Sequence, residues 1–171
     1  MDKDSFEAIY GKGTSLFELA WFNRELQSES QRGQVLVITA FIEDLVERTL
    51  REYLPKQTST ESLLSGAMAP IGNLAAKTAL ACSLDLITAS EYNNIEIVRK
   101  IRNKFAHTVD VSFMDQSIVA LTNNLTHALA DLDKDPKTKP KEPFYRFQLV
   151  TAALLLHLHD RSEKIGESST A

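Results

Sequence analysis

The run Arg99-Lys100-Ile101-Arg102-Asn103-Lys104-Phe105-Ala106-His107 gathers the side chains of this chain that are best suited to chemistry. Four cations fall in six residues, and a histidine follows three positions after the last of them. Histidine is the side chain whose ordinary pKa lies near neutrality, so His107 can move a proton while Arg102 neutralises a phosphate oxyanion. The chemistry on offer is phosphate binding coupled to proton transfer. A plainer reading stands beside it. Cations in the last turns of a helix complement the negative end of its dipole. His107 can bond a terminal carbonyl, and Arg102 can pair with Glu43 or Glu47.

Few other groups compete. His157 and His159 are two apart, which on a helix turns them roughly 200° from each other, so they cannot hold one metal ion together. His127 stands alone between Thr126 and Ala128. The single cysteine, Cys82, can form neither an internal disulfide nor a thiolate cage, and its Ala/Leu-rich surroundings suit a buried small hydrophobe in a reducing compartment. The six glycines, Gly11, Gly13, Gly33, Gly66, Gly72 and Gly166, make no phosphate loop, so nucleotide hydrolysis has no support. No metal and no cofactor are expected. Phe17, Trp21 and Phe22 have the spacing of core aromatics.

A chain of 171 residues with 43% hydrophobic side chains suffices for one globular domain with its own core. The formal charge of −4, from 19 basic and 23 acidic side chains, excludes a surface that is cationic throughout and leaves room for a local basic patch. The longest apolar stretch, Phe147 to Leu158, falls short of the roughly 20 residues that span a bilayer, so no membrane span is expected. The opening Met1-Asp2-Lys3-Asp4-Ser5 is acidic where an export signal is basic, and a cytoplasmic location follows as an expectation.

The apolar residues recur at three and four throughout, which predicts an all-α bundle of about six to seven helices around a long central one. Residues 1–13 form a partly ordered N-terminal segment, 14–161 the helical domain, and 162–171 a flexible polar tail. A helix over Thr14 to Gln27 precedes the central helix, Glu29 to Leu54, whose stripe is Val35, Ile38, Ile42, Leu45, Val46, Thr49 and Tyr53. Pro55 ends that helix. Thr58 and Glu61 have capping-box spacing at the start of a short helix, and so do Thr88 and Glu91 at the start of the helix that runs to His107. Between them, Ala69 to Asn73 is a turn, and Leu74 to Leu86 is a helix buried on most of its circumference. Ser117 to Leu132 makes a further helix starting from Asp115, and the charged, Pro-rich Asp133 to Pro143 is a connector. Phe144 to His159 is the last helix, apolar enough to face the core or a second subunit.

On the Thr88 to His107 helix, Asn94, Val98, Ile101 and Phe105 share one face, while Glu96, Arg99, Asn103 and His107 gather opposite, with Arg102 at the boundary. The R-x4-H spacing, with a polar residue straight after the arginine, resembles the active-site motif of the HEPN superfamily, many of whose members are metal-independent ribonucleases. That resemblance implies His107 assisting attack of a ribose 2′-hydroxyl, Arg102 holding the scissile phosphate, Asn103 orienting the pair, and Lys104 or Arg99 as auxiliary phosphate contacts, in a site completed by dimerisation. A wider resemblance spans about Ser28 to Leu125. Arg32-Gly33, the turn Ala69-Pro70-Ile71-Gly72-Asn73-Leu74, Lys77, Leu84-Asp85-Leu86-Ile87 and the ending Ile101-Arg102-Asn103-Lys104-Phe105-Ala106-His107 resemble the mannitol operon repressor family. Asp85 stands where that family's pattern has a glycine. The resemblance implies an all-helical transcriptional regulator without a recognisable DNA-binding motif, acting mainly through a regulatory protein partner and forming a homodimer. The recognition surface then comprises Arg99, Lys100, Arg102, Asn103, Lys104 and His107. The leading expectation is this regulator. Its alternative is a ribonuclease, as a toxin or defence component, that binds RNA; DNA contact is a further alternative partner.

Overall fold

A computed structural model describes residue 24 and residues 26–66, 68–129 and 141–169, with residues 167–169 as backbone only. Most of the expected helix over Thr14 to Gln27, with Phe17, Trp21 and Phe22, and most of the Asp133 to Pro143 connector lie outside the described residues, as do residues 1–13. Six helices follow in order: α1 Gln31–Tyr53, α2 Thr58–Leu64, α3 Leu74–Ser83, α4 Ala89–His107, α5 Gln116–Asn123 and α6 Pro143–Ser169. No strand occurs among the described residues, and the all-α expectation holds. Among the same residues no helix is long and apolar enough to cross a membrane.

α1 is the centre of the bundle and packs against α6, α4 and α3. Ser30 caps its N-terminus through a bond from the Gly33 amide, and Leu54 leaves in extended geometry before Pro55, as the restriction on residues preceding proline requires. Its stripe of Val35, Ile38, Ile42, Leu45, Val46 and Leu50 is buried. Thr39 and Thr49 join it because each hydroxyl donates back to a carbonyl one turn earlier, Val35 and Leu45 respectively. Tyr53, expected in the same stripe, is 51% exposed, since it is the terminal residue of the helix.

The helix starts divide sharply. At α4 both halves of the capping box form: the Glu91 amide donates to Thr88 Oγ1, and the Thr88 amide donates to the Glu91 carboxylate. At α2 the expected box is absent. The helix begins one residue earlier, with Gln57 in the cap position and no side-chain cap, because Glu61 has turned to Arg51 of α1, 2.5 Å away.

Two helix ends also differ from expectation. α5 stops at Asn123 and not at Leu132. The Arg146 guanidinium on α6 donates to the Thr122 and Leu125 carbonyls, and Asn94 Oδ1 accepts the amides of Thr126 and His127. These long-range partners satisfy the backbone that a longer helix would have satisfied internally, while Leu125 and Leu129 still reach the core. α6 runs in the other direction, ten residues past His159 to Ser169. Ser162 is buried and bonds to the His159 carbonyl, and Ile165 packs on the core. Among the described side chains beyond His159, Glu163 and Lys164 face outward while Ser162 and Ile165 turn inward.

Candidate functional site

α4 carries the cationic run. Its inner face, Asn94, Ile95, Val98, Ile101 and Phe105, is buried, which turns Lys100, Arg102, Lys104 and His107 to solvent. The C-terminal end of the helix is held from α1. Arg32 donates to the carbonyl of Phe105, in the last turn of the helix, and to those of Thr108 and Val109 just beyond it. Arg32 thus takes the Phe105 carbonyl of the last turn and the two that follow the helix, and no hydrogen bond engages the His107 side chain among the described residues.

The carboxylates proposed as partners for Arg102 are also taken. Lys77 of α3, only 5% exposed, binds Glu43 and Glu47 at 2.8 Å each. Arg102 instead donates to Asn103 Oδ1 at 3.1 Å. Arg99 behaves differently from its neighbours: its Nε and Nη2 bind the Glu96 carboxylate at 3.0 and 2.8 Å, and that hydrogen bonding raises its pKa further. Its charge is neutralised, so of the expected phosphate contacts Arg99 is the weakest.

Arg99, Arg102 and Asn103 line a cleft of about 250 Å³ with Thr39, Glu43, Asn73, Leu74 and Ala75. The last three form the N-terminus of α3, where Asn73 Oδ1 accepts the Ala76 amide. Cleft and strip thus bring together a guanidinium, an amide and the positive end of a helix, an arrangement that favours anionic groups. His107 is not part of it. Five residues along a helix turn it about 140° away from Arg102, and it sits at the rim of the next loop, where Val109 is 85% and Met114 78% exposed. Phe113 in that loop is buried against the rings of Phe105, Phe144 and Phe147, with centroids 4.9 to 5.4 Å apart. The loop is anchored by one aromatic and presents two apolar side chains outward.

A second constellation was not visible in the sequence. His127 Nε2 lies 2.9 Å from His157 Nδ1, and the two rings meet edge to face. Glu91 adjoins them, with the three potential ligand atoms within 4.8 Å of one another. Burial first, and the neighbouring His157 second, hold His127 below the ordinary histidine range. Burial pushes the Glu91 carboxyl up, but Arg161 at 2.7 Å and the Thr88 bonds outweigh it and leave the group below the usual carboxylate value. The missed signal is the end of α5. A helix continued through His127 aims that ring by helical periodicity, whereas the turn aims it at α6.

No protein-family model matches the chain, and no curated protein matches it. Among solved structures, a chain in the X-ray structure of the MtlR-HPr complex from Escherichia coli is similar over 86% of this chain and 99% of that one, with a TM-score of 0.57 and 23% identity. The two chains share a fold: this protein has an MtlR-like helical architecture.

Proposed function

We propose that this chain is a transcriptional regulator of the mannitol operon repressor type that works through a protein partner, with the edge from Arg99 to His107 as the contact surface. One observation carries the reading. Lys100, Arg102, Lys104 and His107 are exposed with no carboxylate partner among the described residues, and they run into the exposed Val109 and Met114. Apolar side chains bordered by unneutralised cations suit a protein face with an apolar centre and acidic surroundings. The shared fold with a chain crystallised with HPr supports a partner of that kind. The chain acts as a homodimer in this reading, for which the exposed Tyr145 and Leu156 of α6 offer apolar surface.

Calorimetric titration with HPr tests it. Binding is expected to weaken at least tenfold in the Arg102→Glu/Lys104→Glu double variant and to fall as salt is raised, because exposed charges act within the Debye length. A wild-type chain that binds neither HPr nor an operator-sized duplex at low salt removes the regulatory reading.

A second reading rests on the Arg102 to Asn103 hydrogen bond inside the cleft. A metal-independent ribonuclease would use Arg102 and Asn103 on the scissile phosphate and His107 as the proton carrier, with a second copy supplying the missing proximity. RNA cleavage in the presence of chelator that disappears in His107→Ala supports it. Equal inertness of both proteins ends it.

A further inference from the structure

The meeting point of α4, the turn after α5 and α6 is built from groups that the contact surface does not use. We propose that His127, His157 and Glu91 form a binding site for one divalent transition-metal ion of the zinc class. His127 Nε2 and His157 Nδ1 are 2.9 Å apart. Two imidazole nitrogens on a tetrahedral zinc ion lie about 3.3 Å apart, given bonds near 2.0 Å, so an opening of a few tenths of an ångström admits the ion. A third donor lies near, since one ligand atom from each residue falls inside a 4.8 Å span, and it closes by up to about 1.5 Å to reach that separation. Thr88 and Arg161 all address Glu91 Oε2, which leaves Oε1 as the oxygen for the metal. Two imidazoles with one carboxylate and an open fourth position are a recurrent zinc donor set.

The surroundings have the features that a metal site needs beyond its ligands. Asn94, 1% exposed, accepts the amides of Thr126 and His127 through Oδ1 while its own amide donates to Ser90, which fixes the turn that carries His127. Hydrogen bonds to Glu91 fix the carboxylate in the same way, as outer partners of metal ligands do. His157 is exposed and gives the ion a route from solvent. Arg161 opposes the ion's charge, and Glu91 between them offsets that opposition.

The experiment is titration of Zn²⁺ and Co²⁺ into chelator-treated full-length chain, followed by calorimetry and by the visible absorption of bound Co²⁺. One ion per chain is expected, with the intense visible bands of four-coordinate cobalt. His157→Ala removes an exposed side chain with little burden on the fold, and is expected to weaken binding by more than roughly tenfold. Glu91→Gln, which keeps the geometry of a capping box, is expected to lose 10- to 100-fold, about the range seen when metal-site partners are altered. His107→Ala and His159→Ala are expected to bind as the wild type does. No ion bound by the wild type, or undiminished affinity in either His157→Ala or Glu91→Gln, overturns the proposal, and so does loss of the ion in His159→Ala.

Discussion

Asp85 adopts φ 56°, in the left-handed region that side chains other than glycine enter at a cost. The position needs that conformation because it closes α3: the Asp85 amide donates to Cys82 and the Leu86 amide to Ala81, the paired bonds of a Schellman ending. A glycine in the family pattern at this place therefore has a backbone reason, and aspartate is a tolerated substitute. Asp85→Gly is expected to stabilise the protein by roughly 0.5–1 kcal/mol, the relief of left-handed strain less the added freedom of the unfolded chain. A rise of about 1–4 °C in the melting temperature is the readout, and a fall would show that the aspartate side chain supplies something the backbone argument omits. Arg32 has the opposite character, since its value lies in distant carbonyls. Arg32→Ala is expected to cost about 1.5–3 kcal/mol by stripping charged donors from the end of α4. Urea unfolding measures that loss, and a midpoint equal to wild type refutes the capping role. Residue types alone disclosed Thr88 with Glu91, whose partners are three residues apart. They misjudged Thr58 with Glu61, because Arg51 competes for that glutamate from another helix.

Between elements, α1 and α3 are joined by Lys77 with Glu43 and Glu47. Burial alone would lower the Lys77 pKa, but bonds to both glutamates more than offset it and raise it above 10.5. Burial likewise pushes Glu47 up, and bonds from Lys77 and Arg51 bring it below 4.5. The signs set two windows. The contribution of Glu47 is present above about pH 4.5 and is lost as pH falls through its lower native value, because the unfolded chain takes up the proton first. The contribution of Lys77 is whole below about pH 10.5 and is lost as pH rises through its higher native value. Denaturation midpoints measured across acid pH should fall less steeply below pH 4.5 in Glu47→Gln than in wild type, and an unchanged slope would contradict the coupling. The elements themselves were legible where an apolar stripe repeats over several turns, as in α1 and α4. Their ends were legible only where a local breaker such as Pro55 stands. α5 kept its apolar rhythm through Leu125 and Leu129, yet Asn94 and Arg146 unwind it from outside.

At the scale of the molecule, the loop beside His107 is tied to the far helix by the aromatic group of Phe105, Phe113, Phe144 and Phe147. Phe113→Ala is expected to cost about 3–5 kcal/mol, the usual loss for deleting a buried aromatic, and to speed hydrogen exchange of the loop amides that carry Val109 and Met114. Protection unchanged in that loop would mean that it is held by something other than the cluster. The sequence by itself determined the fold class, the central helix and the polarity of α4, because each follows from periodicity within one segment. Tertiary structure alone decided that Glu43 and Glu47 belong to Lys77, that Arg32 closes the end of α4, and that His127 meets His157. Those pairings join residues 30 to 77 positions apart, and their choice depends on which helix faces are brought together and on where a helix stops, neither of which is written in local spacing.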